Sequence, residues 1–253
     1  MSRDDISFHL PPPAALIPAP PAAVAPVMVP LTIDGLAVEV PAGATLIEAC
    51  KTLHINVPTL CYLETLTPVN ACRVCVVEVE GARVLAPACS RAVEAGMVVK
   101  TRSPRVDLSR KVVLELLGSS VDLSTAPGLA EMMREYGARP ARFQEAVGSA
   151  SSVSSVAQAV KVDNELYVRD YGKCVLCYKC VEACGTDAQH TFAIAVAGRG
   201  FNAHISTELD VPLPDSACVY CGNCIAVCPT GALMATPEFE LRQAGHGEQR
   251  QHK

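Results

Sequence analysis

Tryptophan is absent from this 253-residue chain, and only 5 Phe and 6 Tyr represent the aromatic class. Rings that usually dominate an interior are therefore scarce, and another device must anchor the core. Charge is also sparse, at 19% of residues with a formal net charge of -5. That mildly acidic balance offers no electrostatic footprint for nucleic acid. The N-terminus lacks a basic region followed by an unbroken apolar stretch, so no cleavable signal peptide is expected. Residues 10–33 carry no charge, but eight prolines from Pro11 to Pro30 would break a spanning helix. Neither a G-x-G-x-x-G fingerprint nor a P-loop is present; Gly198-Arg199-Gly200 reads as a turn. No nucleophile-base pair stands out either, so no catalytic residue is expected. His54, His190 and His204 read as surface or hydrogen-bonding residues.

Cysteine is what the chain has in excess, with 13 residues. An odd count, with eight crowded between Cys174 and Cys228, argues against a closed disulfide framework and for metal ligands. Free thiolates imply a reducing compartment, and the expected location is cytoplasmic.

Composition divides the chain further. Residues 1–30 are rich in Pro and Ala and read as an extended arm, either a disordered tail or a segment that wraps a partner subunit. From Leu31, alternating apolar residues flank Asp34-Gly35, a tight-turn hairpin signal. Thr45 to Glu48 is a capping-box pattern opening a helix through about residue 53. Residues 74–79 and 83–86 suggest a second hairpin across Glu80-Gly81, and 97–101 another strand. Helical periodicity follows at 104–117 and 128–137, then a small polar linker at 148–157. Beyond Val160 the sequence repeats itself: a cysteine cluster, a hairpin-like stretch at 191–208, and a second cluster. The expected fold class is α+β: a small sheet domain at 31–102, a helical connector and linker at 103–159, a cysteine-rich domain at 160–236, and a polar, mobile tail at 237–253.

The strongest motif is Cys174-x2-Cys177-x2-Cys180-x3-Cys184, followed by Cys218-x2-Cys221-x2-Cys224-x3-Cys228-Pro229. This is the spacing of bacterial ferredoxins with two [4Fe-4S] cubes, where the first three cysteines of a run grip one cube and the fourth reaches the other. The expected ligands are Cys174, Cys177, Cys180 and Cys228 for the first cube, and Cys184, Cys218, Cys221 and Cys224 for the second. Structural zinc, the competing reading, favours CxxC pairs with longer gaps. Cys61-x10-Cys72-x2-Cys75-x13-Cys89 resembles the plant-type [2Fe-2S] spacing with a longer first gap, in a setting that fits a β-grasp domain. Zinc is a more serious competitor there. Arg73 could donate to sulfide or thiolate, or be a solvated loop residue. Cys50, in line with Leu46 and Leu53 on the capped helix, reads as a buried thiol and not a ligand.

These residues carry a resemblance. PTLCY at 58–62, ACRVCVVEVEG at 71–81, PAC at 87–89 and the two ferredoxin runs are similar to the N-terminal part of the large iron-sulfur subunit of complex I. They are similar also to the electron-transfer subunit of NAD-reducing hydrogenases and to the N-terminal region of NAD-dependent molybdenum or tungsten formate dehydrogenases. HTFAIAVAGRGFNAHI at 190–205 and PTGALMATPEFELRQAG at 229–245 most resemble the formate dehydrogenases. In that family one histidine and three cysteines usually hold a further [4Fe-4S] cluster between the domains, but residues 101–150 contain neither residue type. The resemblance therefore implies one [2Fe-2S] and two [4Fe-4S] clusters, about ten iron atoms. The chain stops at Lys253 without a pterin-binding body, so the expected assembly splits the function. This chain would relay electrons between a Mo/W-pterin catalytic subunit and an FMN/NADH-binding iron-sulfur subunit, each partner carrying its own cofactor.

Overall fold

Leu31, Ile33, Val38 and Val40 alternate with more exposed residues and turn inward, at 0–8% exposure, and that alternation sets the first layer. In the computed structural model, which describes residues 26–146 and 160–250, β1 (Met28–Ile33) and β2 (Leu36–Pro41) pair antiparallel across Asp34-Gly35. Both turn residues have positive φ, 50° and 82°, the backbone an Asp-Gly hairpin turn requires. Met28 to Pro30, read from composition as part of the arm, belong to β1, because ladder pairing with Glu39, Val40 and Pro41 recruits them. The rest of the arm before residue 26, the polar linker at 148–157 and residues 251–253 lie outside the described residues.

Three further strands complete the sheet: β3 (Val76–Val79), β4 (Ala86–Pro87) and β5 (Val98–Lys100), in the order β2-β1-β5-β3-β4. β5 runs parallel to β1, and the Asp34 carboxylate accepts from the Thr101 N–H at 2.8 Å, tying the hairpin turn to the end of β5. Helix α1 (Leu46–Thr52) packs Leu46, Ile47, Ala49 and Cys50 into the core beneath the sheet. Its start is fixed by the capping box: the Glu48 N–H donates to Thr45 Oγ1, and the Thr45 N–H donates to Glu48 Oε2.

The connector forms three helices, α2 (Pro104–Ser120), α3 (Pro127–Glu135) and α4 (Ala141–Ala146). Ser103 caps α2 by accepting from the Val106 N–H, and Pro104 stands at the first helical position, where its missing N–H costs nothing. Arg110, 1% exposed, clamps α2 to the sheet domain. Its Nε donates to the Val74 carbonyl at 3.1 Å, Nη2 to the Val76 carbonyl at 2.8 Å, and Nη1 to the Tyr136 hydroxyl at 2.9 Å. Around it Leu60, Val74, Leu114, Leu129 and Tyr136 form a second core, against which Val175 of the cysteine-rich domain packs.

That domain is built on two short two-stranded sheets. β6 (Tyr167–Arg169) pairs with β9 (Leu233–Ala235), and β7 (Ala195–Ala197) with β8 (His204–Ser206). Short helices α5 (Lys179–Cys184) and α6 (Asn223–Ala226) lie within the two cysteine runs, carrying Cys180, Cys184 and Cys224, and pack together. The segment read as a polar, mobile tail is helix α7 (Thr236–Arg250), in which Glu238 and Arg242 form an i,i+4 ion pair that polarity alone does not reveal. Polar contacts join this domain to the rest. The Asp122 N–H donates to the Gly172 carbonyl at 2.9 Å, Thr125 Oγ1 to the Thr230 carbonyl at 2.5 Å, and Thr67 Oγ1 to Asp187 at 2.9 Å.

Replacing Arg110 by Ala removes three hydrogen bonds from a charged donor and strands two buried carbonyls. The unfolding free energy should fall by about 3 kcal/mol in urea titrations. A loss under about 1 kcal/mol would show that Arg110 is no clamp.

Candidate metal centres

Four cysteines of the sheet domain come from three separate loops. Cys61 follows α1, Cys72 and Cys75 lie in the turn before β3, and Cys89 follows β4. Pairing of Val76 with Pro87 brings Cys75 and Cys89 side by side, and the Ala88 N–H donates to the Cys75 carbonyl at 3.2 Å. Asn70 and Arg73 adopt positive φ of 58° and 59°, so the chain curls and aims amides at sulfur. The Cys72 N–H donates to Cys61 Sγ and the Val74 N–H to Cys72 Sγ, each at 3.5 Å. Arg73 itself donates to Asn70 Oδ1 and the Leu85 carbonyl, and these two bonds brace the loop.

The thiols are tuned in pairs. Hydrogen bonding from Cys72, against the cost of burial and with help from nearby amides, holds Cys61 down at about 6, and the same pairing pushes Cys72 up. Hydrogen bonding from Cys89 holds Cys75 at about 7, while Cys89 rises. Cys50 is fully buried, and its thiol is pushed up to about 11 by burial and then by the Asp34 charge.

The two runs in the second domain share one backbone design. Leu176 and Tyr178 in the first run have φ of 51° and 64°, and Tyr220 and Gly222, at the same places in the second, have 55° and 79°. Three of these four carry a side chain in the left-handed region, a strained choice that persists only when the surroundings fix it. The kink turns amides inward: the Tyr220 N–H donates to Cys218 Sγ at 3.4 Å. One cavity is lined by Cys174, Cys177, Cys180 and Cys228, and another by Cys184, Cys218, Cys221 and Cys224. Each therefore joins three cysteines of one run to the last cysteine of the other. Each remote cysteine also has a threonine hydroxyl beside it: Thr191 Oγ1 is 3.3 Å from Cys184 Sγ, and Thr230 Oγ1 is 3.8 Å from Cys228 Sγ.

Burial and crowding together raise Cys174, Cys177, Cys180, Cys218 and Cys224. Cys174 is pushed up to about 11 and Cys224 to about 12, in both cases by burial first, with neighbouring thiolates adding to the rise. Burial also raises Cys177, with contributions from the Cys228 and Cys61 charges, so the sheet-domain quartet lies within electrostatic reach of the first cavity.

These features fit iron-sulfur clusters. The donors are soft thiols, the cavity walls are mostly apolar, and amides and hydroxyls point at sulfur, which is the environment such clusters require. Among the described residues, no three His, Cys, Asp or Glu converge at the spacing of a single metal ion. Eight of the thiols instead line two cavities, four to each. Sequence reasoning missed Arg110, Arg169 and the two threonines, since no spacing rule marks them. His204 proves to be a hydrogen-bonding residue, with Nδ1 2.8 Å from the Asn202 carbonyl.

Known proteins share this arrangement. Residues 27–104 match the family described as a 2Fe-2S iron-sulfur cluster binding domain, and residues 173–232 match the 4Fe-4S dicluster domain. The NADP-reducing hydrogenase subunit HndD of Solidesulfovibrio fructosivorans is 40% identical over 82% of this chain and 36% of its own length. An NADH-quinone oxidoreductase subunit of Rhizobium meliloti is 33% identical over 83% of this chain and 24% of its own. A protein of Staphylococcus haemolyticus, provisionally named a formate dehydrogenase, is 30% identical over 81% of this chain and 20% of its own. The chain thus spans roughly a fifth to a third of the curated relatives it matches. Among solved structures, an NAD+-reducing [NiFe]-hydrogenase superposes with a TM-score of 0.69 at 22% identity, covering 82% of this chain and 87% of that one, a likeness of fold. Sequence matches and architecture agree that this chain belongs to the iron-sulfur proteins in which a 2Fe-2S cluster binding domain precedes a 4Fe-4S dicluster domain.

Proposed function

We propose that the chain is an electron relay of a multi-subunit NAD(P)-linked oxidoreductase, holding one [2Fe-2S] and two [4Fe-4S] clusters. Cys61, Cys72, Cys75 and Cys89 hold the first; Cys174, Cys177, Cys180 and Cys228 hold one cube; Cys184, Cys218, Cys221 and Cys224 hold the other. The observation that carries this reading is the exchange of last cysteines between the two cavities. Structural zinc favours CxxC pairs with longer gaps, unlike the two successive quartets between Cys174 and Cys228. The clusters, when bound, supply one-electron carriers at potentials the protein tunes. The chain's own residues hold them, aim amides at sulfur and exclude water. Cys72 of the [2Fe-2S] quartet and Val175, which lines the first cavity, pack on the same apolar cluster, which supports an order in which the quartet adjoins the first cavity and the second cavity lies beyond.

Formate is the electron source that the phrases at 190–205 and 229–245 favour, with a Mo/W-pterin centre on one side and an FMN/NAD centre on the other. The 40% identity to a hydrogenase subunit favours a second reading, in which hydrogen is the source. Purification of the chain with its native partners separates the two. A molybdenum or tungsten pterin subunit and formate-dependent NAD reduction are expected; a nickel-iron or iron-only hydrogenase partner would replace the formate reading.

The ligand exchange makes a second prediction. Cys177→Ser and Cys228→Ser should remove or convert the same cube, and Cys184→Ser should affect the other, while Cys50→Ser leaves all clusters in place. EPR of the reduced variants reads this directly, and Cys228→Ser grouping with Cys184→Ser would refute the assignment.

A further inference from the structure

Arg169 has a role that cluster ligation does not explain. It closes β6, pairs in the ladder with Leu233, and is 2% exposed. Nη2 forms an ion pair with Asp163, whose carboxylate also accepts from the Leu213 N–H at 3.0 Å. Nε and Nη1 are buried and have no hydrogen-bond partner among the described residues. Burial raises the Tyr171 hydroxyl, and the Arg169 guanidinium, by its charge and by its approach as a hydrogen-bond donor, offsets part of that rise, although the two do not meet in full hydrogen-bond geometry. A buried guanidinium with two idle donors is costly, and such groups are rarely kept without an acceptor. The same side chain lines the cavity of Cys184, Cys218, Cys221 and Cys224, and its charge acts on Cys218.

Among the described residues, no other charged side chain lines that cavity, and none lines the cavity of Cys174, Cys177, Cys180 and Cys228. Two features around the thiols recur in both, a threonine hydroxyl beside each remote cysteine and left-handed residues at the same two places in each run, while Cys221 is exposed where its counterpart Cys177 is buried. Lys179 also acts on Cys177, but it is only partly buried and outside the lining, so water screens it more than Arg169. Reducing a thiolate-ligated cube by one electron adds one negative charge to a site that is already anionic. A buried cation in the wall favours that added charge, and more so where the dielectric is low.

We propose that Arg169 breaks the symmetry of the two cubes, setting the reduction potential of the cube held by Cys184, Cys218, Cys221 and Cys224 above that of its neighbour through its buried positive charge in the wall of that cavity. This inference rests on the ligand assignment proposed above. Its consequence is direction: with the sheet-domain quartet adjoining the first cavity, electrons entering from that side settle on the far cube.

Potentiometric EPR titration of the anaerobically prepared full chain tests it. In the unsubstituted protein two cube potentials should separate, and the higher should belong to the signal lost in Cys218→Ala. Arg169→Met should lower that potential by at least tenfold in the reduction equilibrium, 59 mV for one electron, and leave the other cube within a third of that shift. Arg169→Lys, which keeps charge but loses the planar fork, should fall between. Asp163→Asn, which frees the guanidinium from its counter-charge, should move the same potential upward. If Arg169→Met fails to assemble the cube, the upward shift in Asp163→Asn carries the decision. Equal or reversed potentials in the unsubstituted chain, an unmoved potential in an iron-replete Arg169→Met, or equal shifts in both cubes would overturn the proposal. A chain that binds no iron would instead overturn the ligand assignment itself.

Discussion

Gathering twelve thiols into three quartets, two of them around cavities, is the constraint on which the rest of the structure depends. Burial alone opposes ionisation, and each thiolate formed raises its neighbours further. Cys180, driven upward by burial and then by the charges of Cys177, Cys174 and Cys228, shows both effects. Bound iron resolves this conflict by replacing protons with cationic charge, so assembly of the clusters and consolidation of the fold are coupled. The shortage of aromatic residues becomes intelligible on the same ground. Where other proteins fill a core with rings, this one surrounds cluster-sized spaces with small apolar side chains such as Ala193, Ile194 and Leu233.

The backbone bends to the same need. Leu176, Tyr178 and Tyr220 accept left-handed geometry so that successive cysteines face one point and the intervening amides face sulfur. In the sheet domain the cysteines come from loops far apart in sequence, and the β3–β4 ladder replaces local curling as the means of bringing Cys75 to Cys89. Arg110 then fixes the carbonyls on either side of Cys75 to the connector, linking the loop that carries the thiols to the helices behind it. The two halves of the molecule meet at Val175 and at the contacts of Asp122, Thr125 and Thr67, beside the quartet and the first run.

Much of this was legible in the sequence because it is local. Asp34-Gly35, the Thr45 capping box and the spacing of the two cysteine runs each encode their geometry within a few residues. What the sequence hid depends on distant partners. Met28 to Pro30 read as an arm until β2 supplied a ladder, and residues 237–250 read as a mobile tail although they continue a helix that begins beside β9. Arg73 sits between two cysteines, and nothing in that spacing reveals the loop-bracing bonds it makes to Asn70 and Leu85. Arg169 gave no signal, since its meaning comes from a cavity assembled by residues up to the second run.

The chain carries a 2Fe-2S cluster binding domain and a 4Fe-4S dicluster domain, and its relatives are named as hydrogenase and NADH-quinone oxidoreductase subunits. The central claim is that the thiols hold iron-sulfur clusters and not isolated metal ions. Elemental and sulfide analysis of the anaerobically purified chain, with EPR after dithionite reduction, tests it most directly. About ten iron atoms with matching sulfide, and reduced signals of both [2Fe-2S] and [4Fe-4S] type, are the predicted result. Zinc in place of iron, with no reduced-cluster signal, would contradict the account.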